Sequence, residues 1–237
     1  METALYCGVV VLGAYLVRGI AGFGSALVAV PLLALVLPLT VVVPLVVFLD
    51  YVCSATQGLK NRQLIQWREL LPLIPFALIG VVTALFLFRN LDSTGLGQAL
   101  GVFVLVYAVY QLLPLKELAG SRWLAAPAGI LGGMVGTLFG TGGPFYVIYL
   151  TLRRLDKGAF RATFAANFLI DGSMRLGGYT LTGFYDKDAL QLMMTALPIA
   201  FIGLFLGGRI HTNLSQQAFL RLVSVLLLGS GTALLMK

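Results

Sequence analysis

The stretch FGTGGPFY, residues 139–146, interrupts one of the most apolar parts of this 237-residue chain. Its glycines, followed directly by Pro144, do not support a continuous helix. A backbone break inside a bilayer leaves N–H and C=O groups unpaired, and each such group costs several kcal/mol. Breaks of this kind persist where protein or a water-filled cavity satisfies those groups, so the stretch predicts a functional site.

The composition around this stretch is typical of a membrane protein. Hydrophobic residues make up 59% of the chain and charged residues 11%, and the mean hydropathy is +0.96. Soluble domains average about 45–50% apolar and about 25% charged residues. The nearly uncharged stretches 70–88, 96–113 and 190–208 are long enough to cross a ~30 Å hydrocarbon core as helices. We therefore predict an all-α polytopic membrane protein that resides in the lipid bilayer.

Apolar pieces occur in the same order twice: a long helix, a glycine-rich break, a short helix and three long helices. They fall at about 3–18, 25–37, 39–57, 69–88, 96–113, 123–138, 144–152, 159–183, 188–209 and 216–236. Four local matches support a duplication: FGS 23–25 with FGT 139–141, Asp50 with Asp171, PFALIG 75–80 with PIAFIG 198–203, and QAL 98–100 with QAF 217–219. We predict one transmembrane domain with repeats at about 1–113 and 123–237 and a linker at 114–122.

The number of pieces in each repeat is odd, so the second repeat is predicted to be inverted relative to the first. In each, the glycine-broken pair is either re-entrant or discontinuous. Basic residues divide ten to three between the two faces, and a basic excess marks the cytoplasm. The net charge of +7 is thus an orientation signal and not a sign of nucleic-acid binding. The ten, each interpreted as a solvated loop charge, are Lys60, Arg62, Arg68, Lys116, Arg122, Arg153, Arg154, Lys157, Arg161 and Arg209; the three are Arg89, Lys187 and Lys237.

This charge distribution predicts the orientation in a bacterial inner membrane. The loops at 58–68, 114–122 and 153–158 are expected in the cytoplasm, and both termini are expected outside.

The two breaks are predicted to bind an anion, with close helix packing by their glycines as the alternative. Unpaired N–H groups at the start of each short helix, together with the helix dipole, attract negative charge. Glycine permits close approach, with a positive φ expected at Gly142 or Gly143, and Pro144 suits a first helical turn. The acidic group of the substrate is expected between the breaks. The predicted binding residues are Gly22, Gly24, Ser25, Gly140, Thr141, Gly142, Gly143 and Pro144, whereas Gly132, Gly136, Gly177 and Gly178 are interpreted as helix-packing residues.

Four ionisable residues lie within the apolar segments: Arg18, Asp50, Asp171 and Arg175. Such residues are costly in hydrocarbon and are functional candidates. Asp50 and Asp171 occupy matched positions and are candidates to carry a coupling H⁺ or Na⁺. Asn167, Asp171 and Arg175 share one helix face, and an Asp171–Arg175 ion pair is the structural alternative. Arg18, Asn167 and Arg175 complete the predicted binding set; for Arg18, snorkelling from a helix end is the alternative.

Several other chemistries are disfavoured. His211 is the single histidine, and the chain has neither a P-loop nor an H-E-x-x-H motif. Cys7 and Cys53 lie in apolar segments and are interpreted as packing residues. No metal or cofactor is therefore predicted. An intramembrane aspartyl enzyme is an alternative because two membrane aspartates exist, but neither Asp50 nor Asp171 has the Gly-x-Gly-Asp context.

The paired breaks GFGSALVAVPLL, residues 22–33, and GGMVGTLFGTGGPFYVIYL, residues 132–150, resemble those of the TauE/SafE sulfite and organosulfonate exporter family, also called the 4-toluene sulfonate uptake permease family. The resemblance covers nearly the whole chain. It implies a secondary carrier, not an enzyme, for small sulfur-containing or organic anions such as sulfite, sulfonates and thiosulfate, in either direction. An anion channel is the alternative transport mode. The sequence does not determine the exact anion or the oligomeric state.

Overall fold

The computed structural model describes residues 2–21, 24–57, 62–112, 120–210 and 216–236. Within these ranges the chain is helical and contains no strand. The described helices are α1 (Glu2–Ala21), α2 (Ser25–Leu33), α3 (Leu39–Gln57), α4 (Trp67–Leu70), α5 (Leu73–Asn90), α6 (Ser93–Leu112), α7 (Ala125–Phe139), α8 (Gly143–Leu152), α9 (Lys157–Leu181), α10 (Lys187–Arg209) and α11 (Gln216–Leu235). They follow the predicted order, long helix, short helix and three long helices, in both halves, with α4 as a short extension before α5.

Two helices differ from the predicted pieces for local reasons. The piece predicted at 25–37 is helical to Leu33 and continues in turns to Leu37, where Pro38 disfavours helical backbone at the residue before it. The piece predicted at 69–88 is divided between α4 and α5, because Pro72 lacks the N–H that would continue the helix. Prolines therefore end or divide apolar stretches that hydropathy alone reads as continuous.

One compact unit of the chain contains α1, α2, α6, α10, α11 and the first half of α3; its ranges are Met1–Leu49, Leu91–Leu115 and Tyr185–Lys237. Within it, α1 packs along α10. A β-carbon on Gly203 of α10 would lie 2.6 Å from the carbonyl oxygen of Leu12 and 3.1 Å from the amide nitrogen of Leu16. The α6 and α11 backbones also approach closely, since β-carbons on Gly101 and Gly231 would each lie 3.1 Å from the other residue's carbonyl oxygen. Glycine permits these helix contacts.

The second compact unit contains the end of α3, together with α4, α5, α7, α8 and α9; its ranges are Asp50–Asn90 and Lys116–Phe184. Here α5 packs along α7. A β-carbon on Gly80 of α5 would overlap the carbonyl oxygen of Ile130 and lie 2.8 Å from the amide nitrogen of Met134. From the other side, a β-carbon on Gly133 of α7 would overlap the carbonyl oxygen of Ala77.

The two glycine crossings have the same geometry. Gly80 on α5 and Gly203 on α10 are matched positions of the two halves, and each lies in the fourth predicted apolar piece of its half. Each glycine faces the carbonyl of one residue and the amide nitrogen of the residue four positions later, on the first helix of the other half. In both units, therefore, a helix of one half packs along a helix of the other half.

The distribution of apolar residues is that of a membrane protein. Among the described residues, three segments are long and apolar enough to cross a bilayer: Glu2–Ile20, Trp67–Asn90 and Lys187–Arg209. Large apolar side chains such as Val82 and Phe86 on α5 are exposed, at 59% and 67%, whereas Asp171 and Arg175 are buried. A soluble protein would show the reverse arrangement. The predicted polytopic helical membrane protein agrees with this architecture.

The glycines predicted to pack helices do so with one exception. β-carbons on Gly132, Gly136 and Gly178 would collide with the side chains of Tyr146, Arg175 and Leu85, respectively. Gly177 is exposed, and nothing lies within 4 Å of the place of its β-carbon. The packing prediction for Gly177 is therefore wrong, because one residue along a helix turns the side chain by about 100° and carries it from a contact face to an outer face.

Candidate functional site

The second break is short. Helix α7 ends at Phe139, Gly140 adopts left-handed backbone with φ 70°, and α8 begins at Gly143. Gly142 has φ −68°, so the positive φ predicted at Gly142 or Gly143 is wrong: it lies at Gly140, where the helix terminates. Pro144 stands in the first turn of α8, as predicted. Gly132 and Gly133, which the sequence placed at the start of this break, lie inside α7.

Helices α7 and α8 form an antiparallel hairpin around this break. The carbonyl oxygen of Gly132 occupies the place where a β-carbon on Gly142 would be, and the ring of Tyr146 covers Gly132. At the other end of the hairpin, the Gly120 amide donates a 3.0 Å hydrogen bond to the carbonyl oxygen of Leu152. The start of α8 therefore lies against α7.

Three polar residues of α9 lie on one buried face, as predicted from their spacing. Asn167, Asp171 and Arg175 are each 2% exposed. Arg175 Nη2 pairs with Asp171 Oδ2, so the ion pair that the sequence left open is present. Tyr146 donates a 3.1 Å hydrogen bond from its hydroxyl to Asp171 Oδ1. Asp50 is also buried, at 4% exposed.

The guanidinium of Arg175 lies at the break. It packs against Gly136 and Gly142, and its Nη2 would be 3.0 Å from a β-carbon on Gly142. Within the described ranges, three further buried polar atoms of this unit have no hydrogen-bond partner: Thr141 Oγ1, Asn167 Nδ2 and Arg175 Nε. Thr141 is 3% exposed. Each of these atoms can donate a hydrogen bond, and buried donors rarely stay without an acceptor.

The first break also holds an arginine. Gly24 has φ 97° and precedes α2, whose first residue, Ser25, is 1% exposed. Arg18 Nη1 donates a 3.1 Å hydrogen bond to Ser25 Oγ, and Arg18 is 6% exposed. The side chain thus turns inward to the break, and the snorkelling alternative is wrong. At the opposite end of this hairpin, Tyr6 donates to the carbonyl oxygen of Leu32. Gly22 lies outside the described residues.

Sequence reasoning missed a second polar cluster, the Glu69 cluster, formed by Glu69, Tyr149, Arg153, Arg122 and Gly120. Glu69 is 7% exposed, and its Oε2 accepts hydrogen bonds from Tyr149 Oη at 2.9 Å and Arg153 Nε at 2.8 Å. Its Oε1 accepts from Arg122 Nη2 at 3.1 Å, and Arg153 Nη1 donates to the Gly120 carbonyl oxygen. The hydrogen bond to Glu69 raises the pKa of Arg153.

The Glu69 cluster corrects part of the charge interpretation. Arg122 and Arg153 were predicted as solvated loop charges, but both pair with a buried carboxylate. Glu69 lies 84 residues from Arg153 in the chain, so no local pattern could indicate the pair. Tyr146 was likewise missed, because its partner is on another helix. Lys60, Lys116 and His211 lie outside the described residues.

No candidate metal centre was predicted, and in the described part of the chain no group of three or more His, Cys, Asp or Glu side chains is placed to hold a metal. Cys7 is half-buried and Cys53 buried, and neither forms a disulfide.

Comparison with known proteins identifies the family. The family model described as "Sulfite exporter TauE/SafE" matches residues 7–234. The chain belongs to the TauE/SafE family. It is 27% identical over 193 residues to "Probable inner membrane transporter protein TsaS" of Comamonas testosteroni, covering 80% of this chain and 81% of that protein. It is 23% identical over 229 residues to "Probable sulfite/organosulfonate exporter TauE" of Cupriavidus necator, covering 92% and 88%, respectively. No solved structure matches the chain.

The family agrees with the resemblance noted in the sequence. The family model is described as a sulfite exporter, and the two relatives are named as a transporter and an exporter.

Proposed function

We propose that this TauE/SafE protein is a secondary transporter that carries small sulfur-containing anions, of the sulfite, sulfonate and thiosulfate class, across the inner membrane. One observation carries the proposal for the site: in the described part of the chain, the buried donors of Thr141, Asn167 and Arg175 have no partner, and the Arg175 guanidinium lies beside Gly142 at the start of α8. The names of the relatives, which refer to sulfite, organosulfonates and the inner membrane, support the substrate class and the location.

The chemistry of the second break suits an oxoanion. Oxygen atoms of a sulfur oxoanion accept hydrogen bonds, and this site offers donors to them: a hydroxyl, an amide NH₂, a guanidinium N–H and the Gly143 amide at the start of α8. Asp171 balances the charge of Arg175, so the dipole of α8 supplies the remaining attraction for one negative charge. Gly140, Gly142, Gly143 and Pro144 form the break, and the backbone is most open at Gly143, where a β-carbon would lie 3.6 Å from Phe164 Cζ.

The first break is proposed as a second place of contact with the anion, formed by residues of the first compact unit. Arg18 and Ser25 provide a buried, hydrogen-bonded pair at the start of α2, and Gly24 removes side-chain bulk there. Gly22 completes the proposed set of residues.

The proposed arrangement is an inverted repeat, as found in many secondary transporters. It is supported by the exchange of partners between the halves: α1 packs along α10, and α5 packs along α7, with matched glycines at both crossings. It is also supported by the hairpins α1–α2 and α7–α8, which occupy the same place in each half.

Asp50 and Asp171 are proposed to couple transport to H⁺ or Na⁺. Both are buried, and both oxygens of Asp171 accept bonds, from Tyr146 and Arg175. If Asp50 carries coupling, Asp50→Asn should abolish concentrative transport in proteoliposomes and leave counterflow exchange intact. Unchanged dependence on pH and Na⁺ in both Asp50→Asn and Asp171→Asn would remove the coupling role.

The binding site is tested with purified protein and a panel of sulfite, thiosulfate, methanesulfonate and acetate. A ligand that binds the folded state raises its thermal midpoint, and the concentration dependence gives the dissociation constant. Thr141→Val and Asn167→Leu should each weaken binding at least tenfold, or about 1.4 kcal/mol. Thr180→Val, on the exposed side of α9, is the control. Unchanged anion affinity in both Thr141→Val and Asn167→Leu would reject this site. In a separate transport assay, an anion flux that does not saturate with anion concentration would indicate a channel.

A further inference from the structure

Tyr146 connects the short helix of the second break to the ion pair on α9. The residue is 1% exposed, and its ring lies on Gly132 with Cζ 2.5 Å from the place of a β-carbon. Its hydroxyl donates to Asp171 Oδ1 at 3.1 Å. The hydroxyl of Tyr146 therefore donates its hydrogen bond to Asp171 and not to a bound anion.

The bond from Tyr146 determines how Asp171 can pair with Arg175. Carboxylates and guanidinium groups frequently form two parallel hydrogen bonds, which use both carboxylate oxygens. Here only Oδ2 of Asp171 meets Arg175, at Nη2, while Oδ1 is taken by Tyr146. In the described chain, Nε of Arg175 remains without a partner although the residue is 2% exposed.

We infer that Tyr146 is a positioning residue for anion binding: it holds Asp171 Oδ1 and so leaves the Nε–H of Arg175 available to the anion. The inference rests on the proposed function. Without the tyrosine hydroxyl, Oδ1 would be buried beside Arg175 and would lose its bond, and a second bond to the guanidinium would satisfy it. That bond would compete with the anion for Nε.

Tyr146→Phe removes only the hydroxyl and tests the inference directly. Its dissociation constants for sulfite, thiosulfate and methanesulfonate should rise tenfold or more for whichever of them binds the unaltered protein. The thermal midpoint without anion should change little, because the new bond between Asp171 and Arg175 replaces the lost one.

Tyr149→Phe is the matched control. Tyr149 lies one turn along α8, is equally buried at 1%, and donates its hydroxyl to Glu69 at 2.9 Å. The variant loses a buried hydrogen bond of the same kind, so its thermal midpoint should fall, but its anion dissociation constants should stay within twofold. A general effect of losing a buried tyrosine hydroxyl on α8 would appear in both variants.

A second measurement asks whether Tyr146 acts through Arg175. Lysine keeps a charge opposite Asp171 but lacks the planar guanidinium and its Nε–H. In an Arg175→Lys background, Tyr146→Phe should therefore change the dissociation constants less than twofold. A further tenfold loss in that background would show that Tyr146 acts elsewhere and would overturn the inference, since interacting sites are expected to be non-additive.

The outcomes separate the two proposals. If none of the three anions binds the unaltered protein, the proposed function fails and this inference fails with it. If an anion binds but Tyr146→Phe and Tyr149→Phe have equal dissociation constants, the inference alone is wrong and the proposed function stands.

Discussion

Gly142 lies where two backbones meet, because the carbonyl oxygen of Gly132 occupies the place of its β-carbon. Its φ of −68° is open to any residue, so the need for glycine is one of space and not of backbone conformation. We expect Gly142→Ala to push the start of α8 away from α7, to cost about 1–3 kcal/mol of stability, and to weaken anion binding at least tenfold. Thermal unfolding and anion titration of the purified variant measure both effects.

Gly177→Ala is the control for this substitution. The residue is exposed on α9, and nothing lies within 4 Å of the place of its β-carbon. Alanine is a better helix former than glycine, so we expect a gain of roughly 0.5–1 kcal/mol and unchanged anion affinity. If Gly142→Ala binds as tightly as Gly177→Ala, the close approach of α7 and α8 does not shape the anion site.

The two glycine crossings belong to the scale of helices. At each crossing, a glycine lies directly against the backbone of the first helix of the other half: Gly80 of α5 against α7, and Gly203 of α10 against α1. Gly80→Ala and Gly203→Ala should therefore destabilise the protein by similar amounts, each about 1–3 kcal/mol, because the added methyl group meets a carbonyl oxygen that cannot rotate away. The midpoints of thermal unfolding test this.

Gly208→Ala is the matched control on α10, since nothing lies within 4 Å of its β-carbon position. It should leave the midpoint unchanged or slightly raised. A large loss for Gly203→Ala with none for Gly80→Ala would contradict the structural equivalence of the crossings.

The Glu69 cluster ties the end of α8 to the segment before α7. Glu69→Gln removes the charge from a buried carboxylate that accepts hydrogen bonds from Arg153, Tyr149 and Arg122. We expect the free energy of unfolding to fall by about 1.5–3 kcal/mol. Arg122 has a side chain 55% exposed, so Arg122→Gln should cost less than about 1 kcal/mol. Chemical denaturation of the two variants gives the comparison. An equal fall in the free energy of unfolding for both variants would mean that the cluster stabilises the protein only through the exposed Arg122–Glu69 pair.

The orientation in the membrane is a prediction about the whole molecule. In a background of Cys7→Ser and Cys53→Ala, single cysteines at Trp123 and Leu181 report the two sides of the membrane, since these residues are 86% and 90% exposed. Trp123 precedes α7 on the predicted cytoplasmic side, and Leu181 ends α9 on the predicted outer side. We expect an impermeant maleimide to label Leu181→Cys on intact cells and Trp123→Cys only in inverted vesicles. The reverse pattern would overturn the predicted orientation.

The sequence by itself determined the helices and the breaks. Hydropathy and helix periodicity are local properties, so the order of long and short helices, the interruption at Gly140–Gly142 and the shared face of Asn167, Asp171 and Arg175 could all be predicted. The family could also be predicted, because its glycine-rich breaks are visible as short stretches of sequence. Prolines at 38 and 72 offered a local signal that hydropathy alone did not use.

Only the tertiary structure decided which side chains meet. Tyr146 binds Asp171 from another helix, Glu69 binds Arg153 across 84 residues, and Gly142 meets the Gly132 carbonyl through a chain reversal. The angle and distance at which helices pack depend on the fit of whole surfaces, which no residue pattern along one helix specifies. For the same reason Gly177 was mistaken for a packing residue. The next residue, Gly178, packs against Leu85, but no atom lies within 4 Å of the place of a β-carbon on Gly177.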